Sequence, residues 1–211
     1  MTAHLSLELA AESEINDLSL DPIEQFARWF EFTKKQKLPQ YNSMALATAS
    51  KEGKPSVRMV LLKEYNQLGF VFFTNYESRK SKEILQNPYC SLVFYWHEID
   101  RQIRIEGRAQ KLSKEKSESY FQSRSKDSQI GAWASKQSQV LSSRATLLAN
   151  TKQLSAKYKD QEILPLPPFW GGFILKPEQF EFWINRQDRL HDRFCYSQTQ
   201  KQEWIIQRLN P

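Results

Sequence analysis

The chain has 211 residues, room for one sizeable core but hardly for a second domain. With 40% hydrophobic and 26% charged residues, and only 6 Gly and 9 Pro, it is excluded from the disordered and fibrous classes. The net charge of +6 and a pI near 9.2 favour an anionic partner, but the basic residues sit in local clusters such as "SRKSK" and "RLHDR", which suits discrete phosphate pockets better than a continuous nucleic-acid track.

Residues 1–20 are polar, weakly periodic and without a signal-peptide pattern; they read as a mobile arm ahead of a single domain over 21–211. No apolar run approaches the roughly 20 residues of a membrane helix, so a cytoplasmic protein with no membrane or nucleic-acid partner is expected. "DPIEQFARWFEFTKK" predicts a helix. Asp21 can cap it, Pro22 suits its first position, and Ile23, Phe26, Ala27 and Phe30 share one face. "YNSMALATAS" and "SVRMVLLKEY" read as a hairpin over 43–65, turned at "KEGKP", and "FVFFTN" as a third strand.

"ESRKSKEILQNP" predicts a short helix with Ser78 at its N-cap, followed by a buried strand "YCSLVFYW". "RQIRIEGRAQKL" alternates, placing Gln102, Arg104, Glu106 and Arg108 opposite Ile103, Ile105 and Ala109. Residues 113–159 are helical in flavour, "EILPLPPFWGG" is a loop, and three closing strands lie in "GFILKPEQFEFWI", "RFCYSQ" and "EWIIQRLNP". Eight strands joined largely by hairpin turns predict an α+β, mainly antiparallel fold that closes into a barrel.

Three stretches carry candidate chemistry. Arg79 and Lys80 fall in the first turn of a helix, where cations oppose the dipole unless an anion binds between them; a frayed helix with two solvated cations is the plainer reading. Tyr120, Arg124 and Ser128 follow at i, i+4 and i+8, and along one continuous helix they would make a phosphate grip. In "RLHDR", Arg189, His191 and Arg193 would share one face of an extended strand, with Leu190 and Asp192 opposite; a solvated strand edge has the same pattern. Arg58 and Lys63 lie five apart in one predicted strand, so either one of them is buried and paired or a bulge intervenes. Cys90 and Cys195 form no CxxC and no metal-ligand spacing, and are expected as buried free thiols. Neither GxGxxG, a P-loop nor GxSxG occurs, so chemistry beyond side-chain acid/base work needs a cofactor.

The segments "RMVLLK", "FFTNYESRK", "RQIRIEG", "YFQSRSKDSQIGAWASKQS", "PPFWGG", "EFW" and "RLHDR", in this order from about residue 21 onward, resemble the signatures of the pyridoxamine 5'-phosphate oxidase family. The resemblance implies an FMN-binding split β-barrel with flanking helices, active as a homodimer with two FMN at the subunit interface. It implies oxidation of the phosphorylated B6 vitamers pyridoxamine and pyridoxine 5'-phosphate by molecular oxygen, giving pyridoxal 5'-phosphate and hydrogen peroxide, with ammonia from the amine. Carried over by motif, FMN would meet Arg58, Met59, Val60, Leu61, Leu62 and Lys63, then Phe73, Thr74, Arg79 and Lys80, and finally Gln102, Gln137, Ser138, Trp183 and Arg193. The substrate would meet Lys63, Tyr120, Arg124 and Ser128 at its phosphate, and Arg189, Leu190 and His191 at its ring. Arg189 and His191 are thus the residues implied at the reacting centre, with His191 binding substrate rather than serving as the obligatory base.

Some positions depart from the family pattern. Residues 1–20 hold no Arg and no Tyr where many members carry a basic arm, Phe73 stands where Tyr is frequent, Ser81 where Gly or Ala is usual, and Ile184-Asn185 where Gln-Gly is common. Three rivals share parts of the pattern. Another split-barrel flavoprotein would not need the Tyr–Arg–Ser row. A nucleic-acid module would be colourless and salt-dependent. A pyridoxal-phosphate carrier would bind product without consuming oxygen.

Overall fold

Asp21 and Pro22 start the first helix as their chemistry requires. The Asp21 carboxylate accepts the Ile23 N–H at 2.7 Å, and Pro22 occupies a position whose N–H has no helical partner to lose. The computed structural model describes residues 14–211, and this helix, α1 (Pro22–Lys35), lays Ile23, Phe26, Trp29 and Phe30 into the core. The Phe26 ring meets those of Tyr65, Phe70 and Phe94 with centroids 5.0, 4.8 and 5.2 Å away, edge to face. Burial of each such ring stabilises by about 1.5–3 kcal/mol.

The strands β1 (Ser43–Ala49) and β2 (Pro55–Leu61) form the expected hairpin. A three-residue strand, β3 (Glu64–Asn66), pairs with β4 (Gly69–Asn75) and brings the described strands to nine rather than eight. Then follow α2 (Arg79–Gln86), β5 (Tyr89–Trp96), β6 (Arg101–Lys111), and the helices α3 (Lys114–Gln122), α4 (Lys126–Ala134) and α5 (Arg144–Lys157). The chain closes with β7 (Trp170–Ile184), β8 (Asp192–Gln198) and β9 (Trp204–Leu209).

All strand pairs are antiparallel, in the order β2-β1-β5-β6-β7-β4-β3, with β8 and β9 continuing from the second half of β7. The first part of β7 pairs with β4 and its last part with β8, while β6 runs beside both. A bulge at Glu106/Gly107 bends this long pair, and Gly107 is needed there because a Cβ would strike the Lys176 carbonyl. Curling brings β2 round toward β4, where Lys63 N donates to Val71 O at 2.9 Å. The result is a split β-barrel with five flanking α-helices.

Inward and outward residues alternate on β6 as expected, with Ile103, Ile105 and Ala109 buried. The strand "YCSLVFYW" is only half buried: Cys90, Leu92, Phe94 and Trp96 point in, while Tyr89 and Tyr95 are exposed. Both cysteines are free and buried, and burial pushes the Cys90 thiol up to about 12.

Two expectations need correction. The proposed arm falls mostly on residues 1–13, outside the described residues, but its last part is packed structure. Leu18 and Ser19 are buried, and Tyr196 Oη donates to Ser19 O at 2.7 Å. The stretch "RLHDR" is not one extended strand. Gln187–Arg189 form a 3-10 turn in which Asp188 and Arg189 have φ of 55° and 62°, and β8 begins only at Asp192. Two consecutive left-handed residues turn the chain, so the two-residue alternation cannot pass through them. Arg186 clamps the turn: its Nε donates to Asp192 Oδ2 at 2.6 Å and its N–H to His191 Nδ1 at 3.1 Å.

Candidate active site

A cleft of about 1030 Å³ opens where β2 and β4 draw together beside α2, α3 and α4. β2 gives Arg58, Met59, Val60 and Leu61, with Lys63 just beyond its end; β4 gives Phe73 and Thr74; α2 gives Arg79 and Lys80. Tyr120, Arg124, Ser128, Gln137 and Ser138 complete the predicted residues that line it. Leu62, also expected at the cofactor, follows the last residue of β2 and is buried in the core instead. The open question about Arg58 and Lys63 is answered by the strand's end: β2 stops at Leu61, so Lys63 escapes its alternation and reaches the same cleft.

One end of the cleft is built from three cations. Lys80 Nζ donates to Gln137 Oε1 at 2.8 Å, Thr74 Oγ1 at 3.1 Å and Ser78 Oγ at 3.3 Å, and the residue is buried. Burial, helped by the nearby Arg58 charge, brings its ammonium down to about 8. Ser78 occupies the N-cap of α2, but its hydroxyl caps no helical N–H and meets Lys80 and Ser81 instead. Arg58 donates to Thr48 Oγ1 and Ser56 Oγ, both at 2.5 Å, and Arg79 Nε to Glu83 Oε1 at 2.8 Å. Burial would raise the Glu83 carboxyl, but hydrogen bonds from Ser56, Thr48 and Arg79 outweigh it and bring it down to about 2.

The other end is aromatic and cationic. Tyr120 stacks on Phe73 at 3.9 Å and 18°, Phe73 stacks on Trp170 at 5.6 Å, and the Arg124 guanidinium lies 4.9 Å from the Trp170 ring. Burial lowers the Arg124 pKa, against the opposing effect of Tyr120, and its Nη1 is buried with no hydrogen-bond partner among the described residues. Tyr120, Arg124 and Ser128 do converge, but not along one helix. α3 stops at Gln122, and Ser125 starts α4 by accepting the Ser128 N–H at 3.4 Å.

These features fit phosphorylated ligands. Two separated cation groups face one cleft, a buried guanidinium nitrogen lacks an acceptor, and β2, at the end of the sheet order, can offer backbone groups to a flat ring. Among the described residues no group of three His, Cys, Asp or Glu could hold a metal, and no helix is long and apolar enough to cross a membrane.

The remaining predicted residues lie elsewhere. Gln102 pairs with Trp183 and Trp183 with Arg193, a row across β6, β7 and β8. The His191 ring is 4.7 Å from that of Trp183, and Arg189 and Leu190 are exposed beside it. Trp170 lines the cleft and Trp183 belongs to this row, yet both are on β7, thirteen positions apart, on the order of 40 Å of strand. None of Gln102, Trp183, Arg189, His191 and Arg193 lines the cleft.

Sequence reasoning missed Glu83, Trp170, Asn75 and Ser135. Glu83 was legible as the i+4 partner of Arg79, and Trp170 sits inside the "PPFWGG" motif. Asn75 and Ser135 carry no local signal.

Residues 33–158 match the family model "Pyridoxamine 5'-phosphate oxidase", and residues 170–211 match "Pyridoxine 5'-phosphate oxidase C-terminal dimerisation region". The chain is 49% identical over 199 residues to a pyridoxine/pyridoxamine 5'-phosphate oxidase of Paraburkholderia phytofirmans, covering 94% of this chain and 92% of that protein. It is 46% identical to one of Trichormus variabilis, over 98% and 94%. Among solved structures, PhzG from Burkholderia lata, in complex with tetrahydrophenazine-1-carboxylic acid, superposes with a TM-score of 0.88 at 31% identity, covering 94% and 96%. A pyridoxamine 5'-phosphate oxidase-related, FMN-binding protein of Nostoc punctiforme shares the fold, with a TM-score of 0.71 at 19% identity over 92% and 100%. On these matches the chain belongs to the pyridoxamine 5'-phosphate oxidase family.

Proposed function

We propose that this protein is a homodimeric, FMN-dependent oxidase that converts pyridoxamine and pyridoxine 5'-phosphate to pyridoxal 5'-phosphate. The observation that carries this reading is the pair of separate cation groups in one cleft. Arg58, Arg79 and Lys80, with Thr74, Gln137 and Ser138, suit the flavin phosphate. Lys63, Tyr120, Arg124 and Ser128 suit a second phosphate, that of the substrate.

When bound, FMN supplies a two-electron acceptor and the onward path to molecular oxygen, with hydrogen peroxide and, from the amine, ammonia as by-products. The chain's own residues bind and orient. The rings of Tyr120, Phe73 and Trp170 stack behind the substrate end and stiffen it, so that Arg124 is held in place before ligand arrives. Phe73 contributes a ring and no hydroxyl. Cations along the cleft favour an electron-rich ligand after reduction.

The row of Gln102, Trp183 and Arg193, with Arg189 and His191, reaches a flavin only from a second copy, and the matched dimerisation region spans Trp183 to Arg193. The His191 Nδ1 accepts the Arg186 N–H, so the neutral ring carries its proton on Nε2. In that form His191 offers the substrate a donor and no base, which supports a binding role.

The PhzG likeness motivates a second reading, oxidation of a reduced phenazine carboxylate. It leaves the Lys63–Arg124–Ser128 group without a phosphate. Oxygen uptake by the purified yellow protein with pyridoxine 5'-phosphate, pyridoxine and tetrahydrophenazine-1-carboxylic acid separates the two. Turnover confined to the phosphorylated vitamer is expected; turnover of the phenazine alone would overturn the proposal.

A further inference from the structure

We infer that Glu83 is a positioning residue for the phosphate end of the cleft: its carboxylate fixes Arg58 and Arg79 from behind, so that the nitrogens left over face a phosphate monoester. This rests on the reading that the flavin phosphate binds there.

Glu83 lies one turn into α2 and is only 6% exposed. Its two oxygens divide the work. Oε1 accepts Arg79 Nε at 2.8 Å. Oε2 accepts the hydroxyls of Thr48 at 2.5 Å and Ser56 at 2.6 Å, with Arg58 Nη2 at 3.5 Å. The same two hydroxyls accept from Arg58, so each passes the carboxylate's hold on to the guanidinium. Arg58 Nη1 also donates to the backbone oxygens of Leu46 at 3.1 Å and Ser56 at 3.4 Å, so both of its terminal nitrogens are occupied. Arg79 is bound through Nε alone, which leaves both of its terminal nitrogens for a ligand. Its side chain is 62% exposed, and among the described residues Glu83 is its one polar partner.

The charges agree with this role. Arg58, Arg79 and Lys80 bring three positive charges and Glu83 removes one, leaving two to meet a dianion. As a bare charge, however, Glu83 can only repel the phosphate. Positioning and simple electrostatics therefore predict opposite signs when the charge is removed. Glu83→Gln removes the charge, and an amide can accept from only one of the two sides. Glu83→Asp keeps the charge but shortens its reach.

The test is binding of FMN and riboflavin to the flavin-free full-length protein, followed by flavin fluorescence. Riboflavin lacks the phosphate and reports everything else. Glu83→Gln is expected to weaken FMN about tenfold, the loss of one charge-assisted hydrogen bond, while riboflavin stays within about twofold. Glu83→Asp is expected to fall between wild type and Glu83→Gln. Tighter or unchanged FMN binding by Glu83→Gln would overturn the inference, as would equal losses for both flavins, which mark general damage. If only Glu83→Asp is soluble, an FMN-specific loss supports the inference and wild-type FMN affinity overturns it. A wild-type protein that does not prefer FMN to riboflavin would overturn the phosphate assignment itself, and with it this role.

Discussion

Arg193 and Glu181 meet side-on across β7 and β8, with Nε to Oε1 and Nη2 to Oε2 both at 3.0 Å. Glu181 is buried and also takes Arg104 Nη2 at 3.0 Å, while Arg193 Nη1 donates to Asn210 O. The hydrogen bonds from Arg193 to Glu181 hold its guanidinium in the charged form. This arginine is therefore part of the sheet's own scaffold before any ligand arrives. Arg193→Ala leaves a buried carboxylate with one partner fewer and should destabilise the flavin-free protein by about 3 kcal/mol. Arg193→Lys, which keeps the charge without the two-pronged contact, should fall in between. Thermal unfolding of the flavin-free variants checks this; a melting temperature unchanged in Arg193→Ala would mean that the pair contributes nothing to folding.

Lys80 gives the site a pH dependence with a definite sign. Burial and Arg58 place its ammonium at about 8 in the free protein. A phosphate favours the charged form, so FMN affinity should be flat below that value and weaken as pH rises through it. The fall approaches tenfold per pH unit until the higher pKa of the complex is passed. Measurements from about pH 7 upward stay clear of the phosphate's own second pKa near 6. Lys80→Arg should remove the slope, because a guanidinium keeps its proton throughout. A wild-type profile flat to about pH 9.5 would contradict the desolvated lysine.

The Tyr196–Ser19 bond ties the start of the described chain to β8 away from the cleft. Tyr196→Phe should cost about 1 kcal/mol, lowering the melting temperature by about 2–4 °C. A chain beginning at Leu20 also loses Leu18 from the core and should be less stable still. Neither change should alter the maximal rate more than a few-fold, since nothing from Glu14 to Leu20 lines the cleft. A loss of orders of magnitude in Tyr196→Phe would assign this contact to the reaction.

How far the sequence reads depends on the range of the interaction. α1 was legible because Asp21, Pro22 and a 3.6-residue apolar period agree locally, and β6 because a half-buried antiparallel strand must alternate. β3 is too short to show a period. The Tyr120–Arg124–Ser128 row had the right residues and the wrong backbone, since Ser125 caps a new helix inside it. "RLHDR" failed because left-handed Asp188 and Arg189 carry no glycine to announce the turn. The division between cleft and row came only from the family resemblance, which implies FMN at a subunit interface; how far apart two parts of one strand lie is encoded in no local pattern.

That division makes the sharpest prediction. The cleft holds Arg124, and the second group holds Arg189 beyond the far end of β7. If each active site joins the cleft of one copy to the second group of the other, then Arg124→Ala and Arg189→Ala damage the same site from opposite subunits. Each variant alone should lose most activity, because both of its sites are broken. In a mixed dimer with two-fold symmetry, one site collects both changes and the other collects neither. Co-refolding equal amounts should give half mixed dimers, each with one intact site, and so recover about a quarter of wild-type activity. The measurement is turnover of pyridoxine 5'-phosphate before and after subunit exchange. Mixing two cleft variants, Arg124→Ala with Lys63→Ala, is the control and should recover nothing, since no mixed pairing then contains a whole cleft. Recovery in the control, or none in the test mixture despite exchanged subunits, would show that each chain builds its site alone.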